Sequence, residues 1–332
     1  MFENVELFNV AEAKKVQNGY ALNRFPEKLQ GKINPFGSMV ASYSCGCEIR
    51  FVKEEAKQVV RVNFIAENGD CNVVVYRGDR PQGVYTAKKG EFFSVDIGDC
   101  PTDAVNIPEY FKNDLYDHNV VRIVFQASRI ILCGIETFGR KIRPPKNEEL
   151  PKRTMLAYGS SITHGSNSVG APYTYASTAA RNLSAQVLNK GLGGSCFCEK
   201  DVADWFAGEI KYDFMTFECG TNMYDVFSNE EIFKREKYML EKLFAKNPDK
   251  YIFLITPPMP YQRLSDSERY KALCEGIKKV GNDMKTDRCV IVNAEDIEPD
   301  STFLCTDRIH PSTEGHMLMG MNLAKVIKPY LD

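Results

Sequence analysis

The chain has 332 residues, of which 43% are hydrophobic, 11% aromatic and 26% charged, enough for two domains with sizeable cores. The formal net charge of −2 and the lack of a long apolar run give no sign of a nucleic-acid partner, a membrane-surface partner or a membrane span. Residues 1–6 contain neither a basic nor an apolar segment, so no signal peptide is predicted. With 11 cysteines and no secretion signal, we expect reduced thiols and a cytoplasmic protein.

Two pairs of cysteines raise the question of a structural metal. Cys45 and Cys47, and likewise Cys196 and Cys198, are separated by one residue, whereas zinc sites use pairs separated by two or more. We therefore expect these side chains to pack as small buried hydrophobic groups, and we predict no metal site.

The first part of the chain alternates short strand-like runs with turn signals. Turns are predicted at 67–70, 77–81 and 88–90, and helical periodicity is almost absent. This spacing is typical of an antiparallel β-sandwich. The predicted strands are 47–52, 59–64, 71–76, 91–97, 120–125 and 130–138.

The pattern changes after a charged segment that contains three prolines, at 140–153. Beyond it, apolar strands alternate with helices, which is typical of a parallel sheet covered on both faces. The predicted strands are 155–158, 186–188, 214–218, 251–255 and 290–292, and the predicted helices are 173–183, 230–246, 267–285 and 313–327. We predict a β-sandwich domain at 1–140, a linker at 141–152 and an α/β domain at 153–332.

Polar residues follow four of these strands. Ser161 lies in a Gly-Ser-Ser turn after the first strand of the α/β domain, Gly194 in the loop after the second and Asn222 in the loop after the third. Asp307 and His310 lie in a loop after the fifth strand. Because ligands of open parallel sheets bind at the carboxyl ends of the strands, we expect these residues to converge there.

The residue types suit nucleophilic catalysis. A serine hydroxyl is a weak nucleophile until a base takes its proton, and His310 is the candidate base for Ser161. Asp307, three residues earlier, is the candidate partner of the second imidazole nitrogen. We assign the oxyanion hole to the N–H groups of Ser161 and Gly194 and to the side-chain amide of Asn222.

The chain resembles the SGNH hydrolases, also called GDSL esterases and lipases. The four blocks of that superfamily supply Ser, Gly, Asn and His, which match Ser161, Gly194, Asn222 and His310, with an aspartate at 307. The match covers about residues 153–328. The resemblance implies a flavodoxin-like parallel sheet between helices, a serine nucleophile, and no metal or organic cofactor.

The chain departs from the family pattern at two positions. Ser160 stands where the first block has an aspartate, and Met223 follows Asn222 where the third block has one. The form Gly-Ser-Ser-Ile-Thr-x-Gly with Asn-Met is similar to a subgroup that carries an amino-terminal β-sandwich, which implies a jelly-roll-like domain ahead of the hydrolase. Some bacterial members of this kind remove acetyl groups from sugars.

Three further residues are candidates for the substrate cleft. His164 lies three residues after Ser161, and a solvated loop histidine is the alternative interpretation. Trp205, the only tryptophan, is a candidate for stacking on a sugar ring, and core packing is the alternative. Tyr224, just after Asn222, is a candidate for the border of the acyl pocket.

Together these observations predict a carboxylic ester hydrolase that forms an acyl-enzyme on Ser161. The resemblance and the lack of a long apolar insertion favour a short acyl group, acetyl on a carbohydrate. A lipase or thioesterase for longer acyl chains and a non-catalytic carbohydrate-binding protein are the alternatives. The expected partner is a small-molecule or oligosaccharide ester, and the oligomeric state, including a homo-oligomer, stays open.

Overall fold

A computed structural model describes residues 3–99, 108–258 and 267–332. The strands are β1 Glu6–Phe8, β2 Glu12–Val16, β3 Gly19–Asn23, β4 Glu48–Lys53, β5 Val60–Ala66, β6 Cys71–Arg77, β7 Arg80–Ala87, β8 Phe92–Ile97, β9 Val120–Phe125, β10 Ile130–Glu136, β11 Ile142–Arg143, β12 Arg153–Tyr158, β13 Ala185–Asn189, β14 Phe214–Glu218, β15 Tyr251–Ile255 and β16 Cys289–Val292. The helices are α1 Pro35–Ala41, α2 Pro108–Phe111, α3 Ser161–His164, α4 Tyr175–Asn182, α5 Lys200–Gly208, α6 Asn229–Lys246, α7 Ser267–Asp283 and α8 Thr313–Leu331. Within the described ranges, none of these helices combines the length and the apolar character that crossing a membrane requires.

The chain divides into two compact units. The first comprises Met1–Pro26, Ser42–Lys152 and Gly170–Pro172, and the second comprises Glu27–Ala41, Arg153–Val169 and Tyr173–Asp332. That the domains end and begin at the predicted boundaries, 140 and 152, stays a proposal. The two units differ from those boundaries chiefly at 27–41, which the sequence pattern assigns to the sandwich.

The first unit is a sandwich of two antiparallel sheets. One sheet has the strand order β1-β4-β9-β6-β7, with β11 paired to β4, and the other has the order β2-β3-β10-β5-β8. Phe51, Phe64 and Phe125 are fully buried in one core shared by both sheets. The predicted antiparallel sandwich is therefore confirmed, while its jelly-roll-like character stays a prediction.

Three strands of the sandwich that the sequence pattern did not predict, β1, β2 and β7, lie at sheet edges. Strand β7 begins at Arg80, inside a segment predicted as a turn, and contains Pro81 and Gly83. Most of its residues are exposed, and those of β2, at the edge of the other sheet, are only partly covered. An edge strand with solvent on its outer side does not need the apolar alternation from which strands are predicted.

The predicted linker is ordered. Ile142 and Arg143 form β11, which pairs with Lys53 and Val52 of β4. Arg143 then forms a two-pronged ion pair with Glu149, with nitrogen–oxygen distances of 2.6 and 2.7 Å. The segment is therefore attached along the sandwich by strand pairing and charge.

The second unit contains a parallel sheet with the order β13-β12-β14-β15-β16. Counted along this sheet alone, the order is 2-1-3-4-5, which is that of flavodoxin-like doubly wound folds. Leu156 at the centre of β12 pairs with Leu188 on one side and Met215 on the other. All five predicted strands are present, and the predicted fold class is confirmed.

Helices cover both faces of this sheet. Ala157 and Phe253 share a core with Ala179 of α4 and Leu323 of α8. On the opposite face, the ring of Tyr158 packs edge-on against Phe206 of α5, with centroids 5.0 Å apart. Buried residues on both faces explain why these strands are apolar throughout instead of alternating.

Candidate active site

Ser161 lies at the start of a short helix directly after strand β12, which runs between β13 and β14 in the sheet. Gly159 and Ser160 connect the strand to α3, and Ser160 Oγ accepts a hydrogen bond from the Ile162 N–H at 3.2 Å, which caps the helix. Gly165, with a φ of 95°, ends it in the left-handed conformation that glycine tolerates. This tight strand–helix turn sets Ser161 at the carboxyl edge of the sheet.

A buried glutamate on the neighbouring strand organises the turn. Glu218, the last residue of β14, accepts hydrogen bonds through Oε2 from the Ser160 N–H at 2.6 Å and from Thr163 Oγ1 at 3.4 Å, and through Oε1 from Thr221 Oγ1. A Cβ on Gly159 would lie 2.7 Å from Glu218 Oε2, so only glycine permits this approach. Glu218 supplies a carboxylate to the turn in which the family's first block has an aspartate. Glu218 was not among the predicted site residues, although a charged residue at the end of an apolar strand is a signal that the sequence contains.

Asp307 and His310 lie in one closed loop ahead of α8. The Cys305 N–H donates to the His310 carbonyl at 2.8 Å, which closes the loop. Asp307 Oδ1 accepts hydrogen bonds from the N–H groups of Ile309 at 2.9 Å and His310 at 3.0 Å. Its second oxygen, Oδ2, lies 2.8 Å from His310 Nδ1.

These contacts determine the charge of Asp307. Partial burial acts to raise its pKa, but the N–H groups of His310 and Ile309 and the imidazole outweigh it and lower the pKa to about 2. Asn167 Nδ2 donates a further hydrogen bond to Oδ2 at 3.0 Å. Asp307 is therefore a carboxylate at neutral pH, which favours the imidazole tautomer with its proton on Nδ1.

The imidazole connects this loop to the serine turn. His310 Nε2 lies 2.7 Å from Ser161 Oγ, although the two residues are 149 positions apart in the sequence. With the proton on Nδ1, Nε2 is the acceptor and the Ser161 hydroxyl the donor. The structure thus brings the three predicted residues into one line of hydrogen bonds, and the His310 side chain is 20% exposed.

The other predicted donors, Gly194 and Asn222, lie in the loops that follow β13 and β14. Gly194 has a φ of 70°, and a Cβ on its neighbour Gly193 would lie 3.6 Å from both Cα and Cβ of Ser161. Asn222 Oδ1 accepts a hydrogen bond from the Cys196 N–H at 3.2 Å. Since this contact fixes the oxygen side of the amide, Nδ2 is the group of Asn222 that remains to donate.

The three candidate cleft residues are buried. His164 is 8% exposed, Trp205 5% and Tyr224 3%. The Trp205 ring packs against Phe206 with centroids 5.3 Å apart, and the Arg269 guanidinium lies 4.1 Å from the Tyr224 ring centroid. The core-packing alternative therefore fits Trp205, and the burial of His164 does not fit a solvated loop histidine. The roles of His164, Trp205 and Tyr224 in lining the substrate cleft stay predictions.

A doubly wound parallel sheet with Ser161, His310 and Asp307 in hydrogen-bond contact at its carboxyl edge has the architecture of an α/β acylhydrolase. The chain belongs to the GDSL-like lipase/acylhydrolase family, whose model matches residues 152–328, more than half of the sequence. It is a carboxylic ester hydrolase. No curated protein matches the chain.

Several solved structures share the fold of the whole chain. A salicylyl-acyltransferase from a tetracycline biosynthetic pathway is similar with a TM-score of 0.81 at 12% identity, over 98% of this chain and 95% of that one. A family two carbohydrate esterase from Cellvibrio japonicus has a TM-score of 0.68 at 14% identity, over 99% and 96%. An acetyl xylan esterase from the rumen bacterium Butyrivibrio proteoclasticus has a TM-score of 0.63 at 12% identity, over 100% and 97%. At these identities the similarity describes the fold.

Proposed function

We propose that this protein is a serine esterase that removes short acyl groups, acetyl in particular, from O-acylated carbohydrates through an acyl-enzyme on Ser161. The observation that carries the proposal is the line of contacts from Asp307 to His310 to Ser161, at 2.8 and 2.7 Å. A carboxylate, an imidazole and a hydroxyl in this order are the parts of a charge-stabilised general base and its nucleophile.

In the first half of the reaction, Ser161 Oγ attacks the ester carbonyl carbon and its proton passes to His310 Nε2. The negative charge of Asp307 stabilises the resulting imidazolium. The tetrahedral intermediate then collapses, the carbon–oxygen bond to the alcohol breaks, and His310 gives the proton to the leaving oxygen.

In the second half, water attacks the acyl group on Ser161. His310 takes a proton from that water and returns it to Ser161 Oγ as the carboxylic acid leaves, which restores the starting state. The N–H groups of Ser161 and Gly194 and the Nδ2 of Asn222 are the proposed donors to the carbonyl oxygen while it carries negative charge. Loss of one such donor costs about 2.7–4 kcal/mol of transition-state stabilisation in comparable sites.

The substrate class rests on a coarser argument. The fold of both units is shared with proteins named as a family two carbohydrate esterase and an acetyl xylan esterase. Because function resides in sites and not in folds, this similarity favours acetylated carbohydrate over lipid esters without deciding between them. A series of aryl esters of increasing chain length separates the two: the acetylesterase prefers the acetate, and a lipase or thioesterase prefers the longer chains.

The Ser161→Ala variant tests the nucleophile. We expect turnover of an aryl acetate to fall by about 10³-fold or more, because the residual rate then depends on binding and the oxyanion donors alone. A phosphonate ester that phosphonylates active-site serines, with loss of its leaving group, is expected to label the wild-type peptide containing residue 161 and to leave the variant unlabelled, as read by mass spectrometry.

The matched control is Ser166→Ala, which removes a nearby hydroxyl outside the proposed machinery. It is expected to keep wild-type turnover and labelling. Full activity in Ser161→Ala, with both variants folded by circular dichroism, contradicts the proposal. A wild-type protein that hydrolyses no ester and takes no phosphonate favours the carbohydrate-binding alternative.

A further inference from the structure

The short helix α1 carries an exposed aromatic side chain. In the sequence Pro-Phe-Gly-Ser-Met-Val-Ala, the residues Gly37, Val40 and Ala41 are buried, whereas Phe36 is 52% exposed. A single exposed aromatic residue is common on protein surfaces and by itself means little. The surroundings of this one are what distinguish it.

Helix α1 is fixed against the loop that follows β13. Asn34 accepts hydrogen bonds through Oδ1 from the Gly37 N–H and from Ser195 Oγ, both at 2.9 Å. Its Nδ2 donates to Glu199 Oε1 at 2.8 Å. A Cβ on Gly37 would lie 3.1 Å from the Ser195 Cβ, so the helix backbone comes close to that loop. Every polar group of one side chain is used to hold α1 in place.

This anchoring sets the Phe36 ring beside the proposed oxyanion hole. A Cβ on Gly194 would lie 2.9 Å from Phe36 Cε1 and 3.5 Å from its Cδ1. The preceding residue, Gly193, is the one whose Cβ would lie 3.6 Å from Ser161. In the dipeptide Gly193-Gly194, the first glycine therefore lies next to Ser161 and the second next to the Phe36 ring. Any larger residue at 194 would displace the ring.

The other aromatic candidates of this region do not offer a free face. Trp205 and Tyr224 are 5% and 3% exposed. Polar groups flank α1: the Lys32 ammonium pairs with Asp201 at 2.7 Å, and Glu199 accepts from Asn34. An apolar ring within a polar rim suits a sugar, which has a C–H face and hydroxyl groups, better than it suits an acyl chain, which needs continuous apolar surface.

We propose that Phe36 determines the specificity of this site by stacking on the pyranose ring whose acyl ester lies at Ser161. This inference deepens the function proposed above and rests on it. The Phe36 ring thus contributes the sugar-facing wall of the site, and Asn34 holds the start of α1 at the oxyanion loop.

The test compares two acetate esters, an acetylated methyl pyranoside and ethyl acetate, which carries the same acyl group without a ring. In Phe36→Ala, we expect the ratio of kcat/KM for the pyranoside to that for ethyl acetate to fall about tenfold, as loss of one aromatic contact surface implies. Phe36→Tyr keeps a flat ring and is expected to retain the wild-type ratio. Met39→Ala, which removes another exposed apolar side chain of α1, is the matched control and is expected to leave both activities unchanged.

A second measurement does not depend on turnover. In the Ser161→Ala background, acetylated xylotriose is titrated calorimetrically, and adding Phe36→Ala is expected to raise Kd about tenfold. An unchanged ratio and an unchanged Kd overturn the proposal. An equal loss for both esters also overturns it, because the ring would then support the loop and not the sugar.

The failure of this proposal is distinguishable from failure of the proposed function. A wild-type protein that hydrolyses ethyl acetate through Ser161 but not the acetylated pyranoside overturns sugar stacking and leaves the esterase assignment standing. A wild-type protein that hydrolyses neither ester and is not labelled by the phosphonate overturns both.

Discussion

Each unit of the molecule holds a carboxylate with a pKa lowered to about 2, and the two differ in what surrounds them. In the sandwich, Glu48 receives two hydrogen bonds from Arg122 at 2.7 and 2.8 Å and one from Arg50 at 2.7 Å. Burial acts to raise its pKa, but the two guanidinium charges outweigh it. In the hydrolase unit, Asp307 is ionised because its own loop supplies N–H donors and an imidazole.

The difference shows that a lowered pKa does not by itself identify an active site. Arg50 is fully buried, stacks on the Phe8 ring at 3.7 Å and donates to Tyr116 at 3.1 Å, and Glu48 is buried as well, so its carboxylate contacts guanidinium groups and is closed to a ligand. Asp307 instead contacts the imidazole of His310, which is partly exposed and lies within hydrogen-bond distance of the Ser161 hydroxyl. Structural ion pairs and catalytic networks both shift pKa values. The two are distinguished by whether a ligand can reach the atoms that would react.

The largest expected effect comes from removing the charge of Asp307. Asp307→Asn keeps the size of the side chain but turns an acceptor of the Nδ1 proton into an amide that favours the wrong tautomer. We expect kcat for an aryl acetate to fall by roughly 10³–10⁴-fold, as in comparable triads, with little change in the free energy of unfolding. Steady-state kinetics and urea unfolding measure the two quantities. A loss of activity below about tenfold would show that Asp307, like Glu48, has a structural role and no role in catalysis.

The same substitution at Glu48 is expected to have the opposite signature. Glu48→Gln leaves Arg50 and Arg122 buried without their counter-charge, which costs about 3–5 kcal/mol of unfolding free energy. The activity per folded molecule is expected to stay at the wild-type level, because the change lies in the sandwich core.

The control for this prediction is an ion pair of similar geometry at the surface of the same unit. Arg61 contacts both carboxylate oxygens of Asp96, at 2.7 and 2.9 Å, and both side chains are well exposed. Asp96→Asn is therefore expected to cost less than about 1 kcal/mol. Equal losses at Glu48 and Asp96 would contradict the role of burial.

The features of the fold and the site that the sequence predicts are those that leave a local pattern of residue types. The parallel sheet was predictable because its strands are buried on both faces, and β14 and β15 begin and end where the apolar runs do. The serine, histidine and aspartate were predictable because their short motifs follow strands in a fixed order. Edge strands such as β7 gave no apolar pattern to read.

Other features depend on contacts that no local pattern contains. The attachment of α1 to the hydrolase unit is made by Asn34, whose partners Ser195 and Glu199 are more than 160 positions away. The bond between the Ser160 N–H and Glu218 likewise joins residues 58 positions apart. Trp205 was a candidate by residue type, and its burial, which favours core packing, depends on contacts that its short motif does not contain.

The smallest expected effect concerns a second histidine of the hydrolase unit. His316 is fully buried, its Nδ1 accepts from the Tyr175 N–H at 3.4 Å, and its Nε2 lies 2.9 Å from the Ser166 carbonyl. Burial lowers its pKa to about 4, against an opposing effect of the Ser166 carbonyl. The folded protein therefore keeps His316 neutral where the unfolded chain, with a histidine pKa of about 6.5, takes up a proton.

Because the unfolded state binds more protons between about pH 4 and 6.5, the free energy of unfolding must fall as the pH is lowered through that window. From this one group we expect a loss of about 2 kcal/mol between pH 7 and pH 5, measured by urea unfolding. His316→Gln is expected to remove that difference, while His118→Gln, at an exposed histidine of the sandwich, is expected to retain it. Asp307 does not contribute in this range, since its ionisation is lost only as the pH falls from about 4 towards 2. An unchanged pH dependence in His316→Gln would mean that the pKa of His316 is the same in the folded protein and in the unfolded chain, which contradicts the effect of burial.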